Sequence, residues 1–197
     1  MCNLYRVRTT RAEVARMFAA SDVDGTELEK DYVSPGRKGL VVRASGEQRA
    51  LEAMSWGWPN PRGGKPVVNV RNYDSSFWRS ALNSPERRCL VPFTEFQEWT
   101  LSPDPSTGKK RAHWFSVRSR PVAAMAGIWR PSDAGSIFAF LTTGYDGDPA
   151  THLVGAIHPK AIPVVLHDED HDRWFHAPVA EALALATAFP SQLMAVA

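Results

Sequence analysis

Only two cysteines occur in the chain, and one of them, Cys2, stands directly behind the initiator in "MCNLY". A second side chain this small marks Met1 for removal, so the working molecule is expected to begin with a free 1,2-aminothiol. An α-amine with a pKa of about 7.7 to 8.0 is partly uncharged near neutrality and can add to an aldehyde to give a Schiff base. The thiol on the adjacent carbon can then close onto the imine carbon as a thiazolidine. The ordinary alternative is a cysteine acting as a small hydrophobe, so this chemistry depends on what the rest of the chain supplies.

Proton transfer needs a tuned acid and base. In "TEFQEWT", strand alternation sets Phe96 and Glu98 on one face, with Glu95, Gln97 and Trp99 on the other. A carboxylate turned toward an apolar interior gains a raised pKa suited to shuttling protons, although a salt-bridged strand glutamate fits the same segment. His158, in "AIHPKAIPVVL", is a candidate acid near neutral pH, and a structural histidine otherwise. Asn69 in "VVNVRN" offers donors and an acceptor for orienting an amine. Arg71 shares its strand face and could hold a phosphate.

The elements that must position these residues can be read in outline. "TTRAEVARMF" predicts a helix with Thr10 and Glu13 in capping-box spacing and Val14, Met17 and Phe18 on one face. "DVDGTELEKDYVSPGRKG" reads as a long surface loop, and "GWPNPRGGKP" as a rigid, irregular one. Strands are expected at "LVVR", "ALEAMSW", "VVNVR", "RCLVPFTEFQEWT", "HWFSVRS", "VAAMAGIWR" and "SIFAFLTTG", with "AIPVVL" as the last. "SSFWRSAL" is a short helix, and "DEDHDRWF" and "PVAEALALATAF" are C-terminal helices. Strands in the middle and helices toward the ends imply an α+β fold: one domain over 1–197, built on a bent, largely antiparallel, barrel-like sheet with peripheral helices.

The 197 residues are 44% hydrophobic and include seven tryptophans, enough for one sizeable core. A net charge of +2 gives no polybasic tail, although acidic "HDEDHD" masks local basic surface in the total. Cys2 and Cys89 are far apart in sequence, which suggests neither a zinc framework nor a disulfide scaffold. No segment approaches the ~20 apolar residues of a membrane span. A cytoplasmic protein, without cofactor or metal, is expected. His167 and His171 tempt a metal reading, but Asp168 reads as a helix cap and the acids as a helix's first turn. "PRGGKP" lacks phosphate-loop spacing, and "GYDGD" lacks the remaining calcium ligands.

Taken together, "MCNLY", "VSPG", "MSWGWP", "VNVRN", "RRCLVPFTEFQEW", "AGIW", "FAFLTT" and "IHPKAIPVVL" resemble, in order, the SOS-response-associated peptidase (SRAP) family. Its members crosslink to abasic sites in single-stranded DNA. The resemblance implies that Cys2 forms the thiazolidine with the ring-opened deoxyribose, that Asn69 orients the amine and that Glu98 is the acid/base. It implies that His158 helps open the sugar, and that Pro35, Gly36, Trp56, Arg71, Arg79 and Thr142 line the DNA groove. The peptidase name would fit removal of Met1 by the same site. Leu4 stands where many members carry arginine, and Ala161 and Ile162 replace a basic residue and its neighbour, with Lys160 close by.

Arg71, Arg79, Arg87 and Arg88 could track phosphates, with an aromatic ring or Pro35 filling the gap left by a missing base. The expected partner is single-stranded DNA bearing abasic sites, bound by a nucleoid-associated monomer. Two other functions begin from the same residues. One is an N-terminal-nucleophile amidohydrolase of glutamine amidotransferase type, whose glycine-rich and oxyanion motifs are not found. The other is a noncovalent single-strand-binding module in which Cys2 is incidental.

Overall fold

Runs of β-branched and aromatic residues make strands the main regular element of the chain. The computed structural model describes residues 2–197, so the expected fate of Met1 lies outside the described residues. The elements run β1 (Tyr5–Arg6), α1 (Arg11–Met17), β2 (Ala20–Asp22), β3 (Tyr32–Val33), β4 (Lys38–Ser45), β5 (Gln48–Trp56), β6 (Asn69–Val70) and α2 (Ser76–Asn83). They continue with β7 (Arg88–Phe93), β8 (Glu95–Trp99), β9 (Ala112–Val117), β10 (Ala123–Arg130) and β11 (Ile137–Thr143). The chain ends with β12 (Ile162–Pro163), β13 (Val165–Leu166), α3 (His171–His176), α4 (Val179–Leu183) and β14 (Met194–Val196).

The larger sheet curls into a ring. β4 pairs with β5 and β7, β7 with β10, and β10 with β11. A parallel contact then closes β11 onto β5 through Ile137 opposite Ser55 and Phe138 opposite Trp56. Inside, Trp56 stacks on Phe140 at 5.0 Å, and both are fully buried. The ring is tight enough that a Cβ on Gly127 would lie 2.9 Å from both Cys89 Sγ and a Val91 methyl. The second sheet, in the order β14-β9-β8-β1-β3, is antiparallel throughout. A single residue, Thr94, separates β7 from β8 and lets one chain serve both sheets. Its amide donates to the Arg6 carbonyl at 2.7 Å and so ties the crossover to β1. The α+β class and the barrel-like antiparallel sheet are those expected.

Helix α1 carries the expected capping box: Thr10 accepts from the Glu13 amide, and the Glu13 carboxylate accepts from the Thr10 amide. Val14 and Phe18 are buried, whereas Met17 is exposed. Four expectations need correction. The segment read as one long loop before β4 begins with the last residue of β2, where Asp22 and Asp24 grip the buried Arg11 guanidinium, and contains β3. "AIPVVL" divides at Val164, with β12 on β11 and β13 on β10. It is not the last strand, because β14 follows and pairs with β9. The alanine-rich C-terminal helix stops at Leu183, since the chain must turn there to bury Phe189 and deliver β14.

Candidate active site

β1 is two residues long, yet it is what places Cys2. Tyr5 lies opposite Phe96 and Arg6 opposite Glu95, and the Gln97 amide donates to the Leu4 carbonyl at 2.9 Å. That register carries residues 2 and 3 alongside the end of β8, where Glu98 stands. Cys2 is fully buried, with Sγ 3.4 Å from the Leu4 carbonyl oxygen. Burial first, and the nearby Glu98 charge second, hold the thiol well above its ordinary range. Near neutral pH the sulfur is therefore a protonated thiol and needs a base to become a nucleophile.

Glu98 is such a base by position. It is 2% exposed, and burial raises its carboxyl to about 7. Its Oε2 is 3.6 Å from His158 Nδ1. The same His158 nitrogen lies 3.2 Å from the Trp99 carbonyl oxygen. A carbonyl can only accept, so Nδ1 carries a proton, and Nε2 is the basic nitrogen of the neutral ring. Burial chiefly, with Lys160 and Lys110 nearby, lowers the His158 pKa, so the neutral ring prevails at pH 7.

Asn69 arrives from the other sheet. β6 runs parallel to β11, with Asn69 opposite Phe140, and Asn69 Nδ2 donates to the Cys2 carbonyl at 2.9 Å. His158 comes from a long excursion between β11 and β12. The quartet read from the sequence thus gathers at the seam between the two sheets, with Cys2 and Glu98 on one side and Asn69 and His158 on the other. The sequence gives no spacing signal for this, because the pieces lie 67 residues apart for Cys2 and Asn69, and 59 for Trp99 and His158.

The residues expected along the DNA groove divide. Pro35 and Gly36 are exposed in a turn in which the Arg37 amide bonds the Ser34 carbonyl at 3.0 Å. Proline followed by a glycine at φ 83° is what a type II turn requires. The Gly36 amide anchors the turn to the Trp56 carbonyl at 2.7 Å. Arg71 is exposed and donates to the Lys160 carbonyl at 2.8 Å, while exposed Arg79 donates to the Asp74 carbonyl at 2.6 Å.

Trp56, by contrast, is a core residue. It is enclosed by Tyr5, Phe138 and Phe140 with its indole donating to the Val68 carbonyl, which leaves no open face for a base. Thr142 is buried too, its hydroxyl 3.5 Å from the Val70 carbonyl. Arg88 turns inward, donating to the carbonyls of Leu82, Trp174 and Ala177, and so cannot track phosphates with the other arginines. Arg87 lies half-buried over the Trp129 ring.

Asp168 is no cap, because its carboxylate pairs with Arg120. His171 is buried against Phe18, and among the described residues no three metal-binding side chains converge. Two participants escaped the sequence reading. The Trp99 carbonyl fixes the His158 tautomer, and the Tyr145 hydroxyl donates to the His158 carbonyl at 3.0 Å. A main-chain acceptor has no residue signature, and Tyr145 lies in a segment whose glycines and aspartates draw attention to calcium instead.

Among the described residues no helix is long and apolar enough to cross a membrane. A search of curated proteins returns no match. Three solved structures share the fold. A protein from Bordetella bronchiseptica matches at 21% identity, covering 100% of this chain and 98% of its own, with a TM-score of 0.79. One from Bacteroides thetaiotaomicron matches at 19% identity, 99% and 90% coverage and a TM-score of 0.79. A phage-related protein from Bordetella bronchiseptica matches at 18% identity, 100% and 93% coverage and a TM-score of 0.73. The family model described as SOS response associated peptidase (SRAP) matches residues 1–197. The chain belongs to the SRAP family, which supports a role associated with DNA damage.

Proposed function

We propose that this protein covalently captures abasic sites in single-stranded DNA through a thiazolidine built on Cys2. The observation that carries the reading is the convergence on residue 2 of three side chains from distant segments: Asn69 on its carbonyl, and Glu98 with His158 beside it. In this reading Met1 is first hydrolysed away, by the site itself or by an aminopeptidase, and the exposed amine adds to the aldehyde carbon of the opened deoxyribose. Glu98, titrating near neutrality, returns a proton to the carbinolamine oxygen, which leaves as water. The Cys2 thiol then gives up its proton as sulfur bonds to the imine carbon, the nitrogen gains a proton, and the ring closes. One C–N and one C–S bond form, and one water departs. Asn69 orients residue 2, and His158 assists opening of the sugar.

Exposed Arg71 and Arg79, with Pro35 and Gly36, are the DNA contacts retained in this proposal. Single strands are favoured because the sugar must reach a seam between sheets. The test is a denaturing gel of protein mixed with single-stranded DNA carrying one abasic site. A heat-stable adduct is expected with the wild type and none with Cys2→Ala. Cys2→Ser should give at most a weak band, since oxygen in place of sulfur makes a less stable ring. An adduct equally stable in Cys2→Ser contradicts ring closure, and glutamine turnover without an adduct points to an amidohydrolase.

A further inference from the structure

His158 opens the turn His158–Ala161, whose second residue is a proline. Pro159 has no amide proton to contribute, and the backbone bond that fixes the turn's start is the His158 amide donating to the Val154 carbonyl at 2.8 Å. The turn is also held from outside, through its carbonyls. The Tyr145 hydroxyl oxygen lies 3.0 Å from the His158 carbonyl oxygen and 3.4 Å from that of Ala161, and Arg71 donates to the Lys160 carbonyl between them at 2.8 Å. A phenol has one proton, so its principal bond is the shorter one, to His158.

Tyr145 is itself braced. Its ring packs on His152 at 4.9 Å. His152 Nδ1 accepts from the Val154 and Gly155 amides, so its proton is on Nε2, which donates to the Phe189 carbonyl at 2.9 Å. The same excursion is tied to the C-terminal segment by the Leu153 amide, which donates to the Ser191 hydroxyl at 2.8 Å. Gly155 packs so closely that a Cβ there would lie 2.3 Å from the Pro149 carbonyl oxygen. A continuous set of contacts thus runs from Phe189 through His152 and Tyr145 to the His158 main chain. Burial, with Glu98 nearby, keeps the phenol well above its ordinary range, so the donor persists throughout the neutral pH range.

We propose that Tyr145 is a positioning residue for His158: by fastening the first carbonyl of the His158–Ala161 turn, it holds the imidazole against Glu98 and the Trp99 carbonyl. The role rests on the capture reading above, but the clamp can be measured without DNA. Tyr145→Phe keeps the ring on His152 and removes only the donor. In DNA-free protein, the His158 imidazole, followed by NMR, should titrate at higher pH in the variant. The loosened ring loses the burial that depresses it, while Glu98, Lys160 and Lys110 continue to face it. In single-turnover capture at saturating abasic DNA the variant should be about 10-fold slower, the scale of one lost hydrogen bond. Its affinity for an intact strand should be unchanged.

An unaltered His158 titration in Tyr145→Phe overturns the clamp, whatever the capture rate. A shifted titration with a wild-type capture rate keeps the clamp but overturns its part in the reaction. A shifted titration in a protein whose wild type forms no adduct supports the clamp and overturns the capture reading instead.

Discussion

Glu98 is useful because it does not behave as an ordinary carboxylate. A group that titrates near 7 can both donate and accept at working pH, whereas one near 4.5 would be a spent base. Glu98→Gln preserves shape and hydrogen-bonding capacity while removing the proton exchange. Capture by the variant should fall by roughly 10²-fold, the low end of the range for general acid–base catalysis. Its rate should also lose the inflection near pH 7 expected of the wild type. Both are read from single-turnover gels across pH 5.5 to 8.5, and a wild-type profile in Glu98→Gln removes its acid/base role. Cys2→Ser tests a different step, the closure, so the two variants should differ in kind: a slow but stable adduct in the first, a weak one in the second.

At the scale of elements, Arg88 illustrates how a basic residue can be misread. In sequence it completes an arginine cluster; in the fold its guanidinium joins the end of α2 to α3 by donating to the carbonyls of Leu82, Trp174 and Ala177. Arg88→Leu strands those buried acceptors, and a loss of about 3 kcal/mol is expected in urea denaturation. The salt dependence of DNA binding should stay as in the wild type, whereas a shallower salt slope would mean that Arg88 meets phosphate after all. Most strands were legible because their apolar residues alternate or run unbroken, and the α1 cap because Thr10 and Glu13 have a local signature. The placement of Glu98 was legible for the same reason: alternation with Phe96 turns it inward. Arg88, Thr142 and Trp56 were misjudged because burial is decided by partners far along the chain. β14 was missed because three residues carry too little pattern and only pairing with β9 defines them, and α4 was read too long because burial of Phe189 overrides an alanine-rich local preference for helix.

For the molecule as a whole, two buried groups pull stability in opposite directions as pH changes. Burial holds the Glu98 carboxyl near 7, above its ordinary 4.5, so between these values the folded chain keeps a proton that the unfolded chain has lost. This contribution is present in full below about pH 4.5 and is lost as pH rises through 7. His171 does the reverse. Burial first, then the charges of Arg49 and Arg120, lower it to about 4 from 6.5, although Asp172 and Glu169 oppose them and Asp168 lies 3.7 Å away. Between pH 6.5 and 4 the unfolded chain takes up a proton that the fold refuses, and stability is lost as pH falls. Over pH 4.5 to 6.5 these two slopes are of equal size and opposite sign and cancel in the wild type, leaving the contribution of the lowered His158. Glu98→Gln removes one of them. The variant should then lose about 3 kcal/mol between pH 6.5 and 4, because a proton held by the unfolded chain alone costs the fold about 1.4 kcal/mol for each pH step of one, and the lowered His158 adds in the same direction. His171→Gln should do the opposite, weakening as pH rises from 4.5 to 7. Urea midpoints at half-unit pH steps decide the matter, and parallel curves for all three proteins would mean that these buried groups do not keep separate protonation states in the fold.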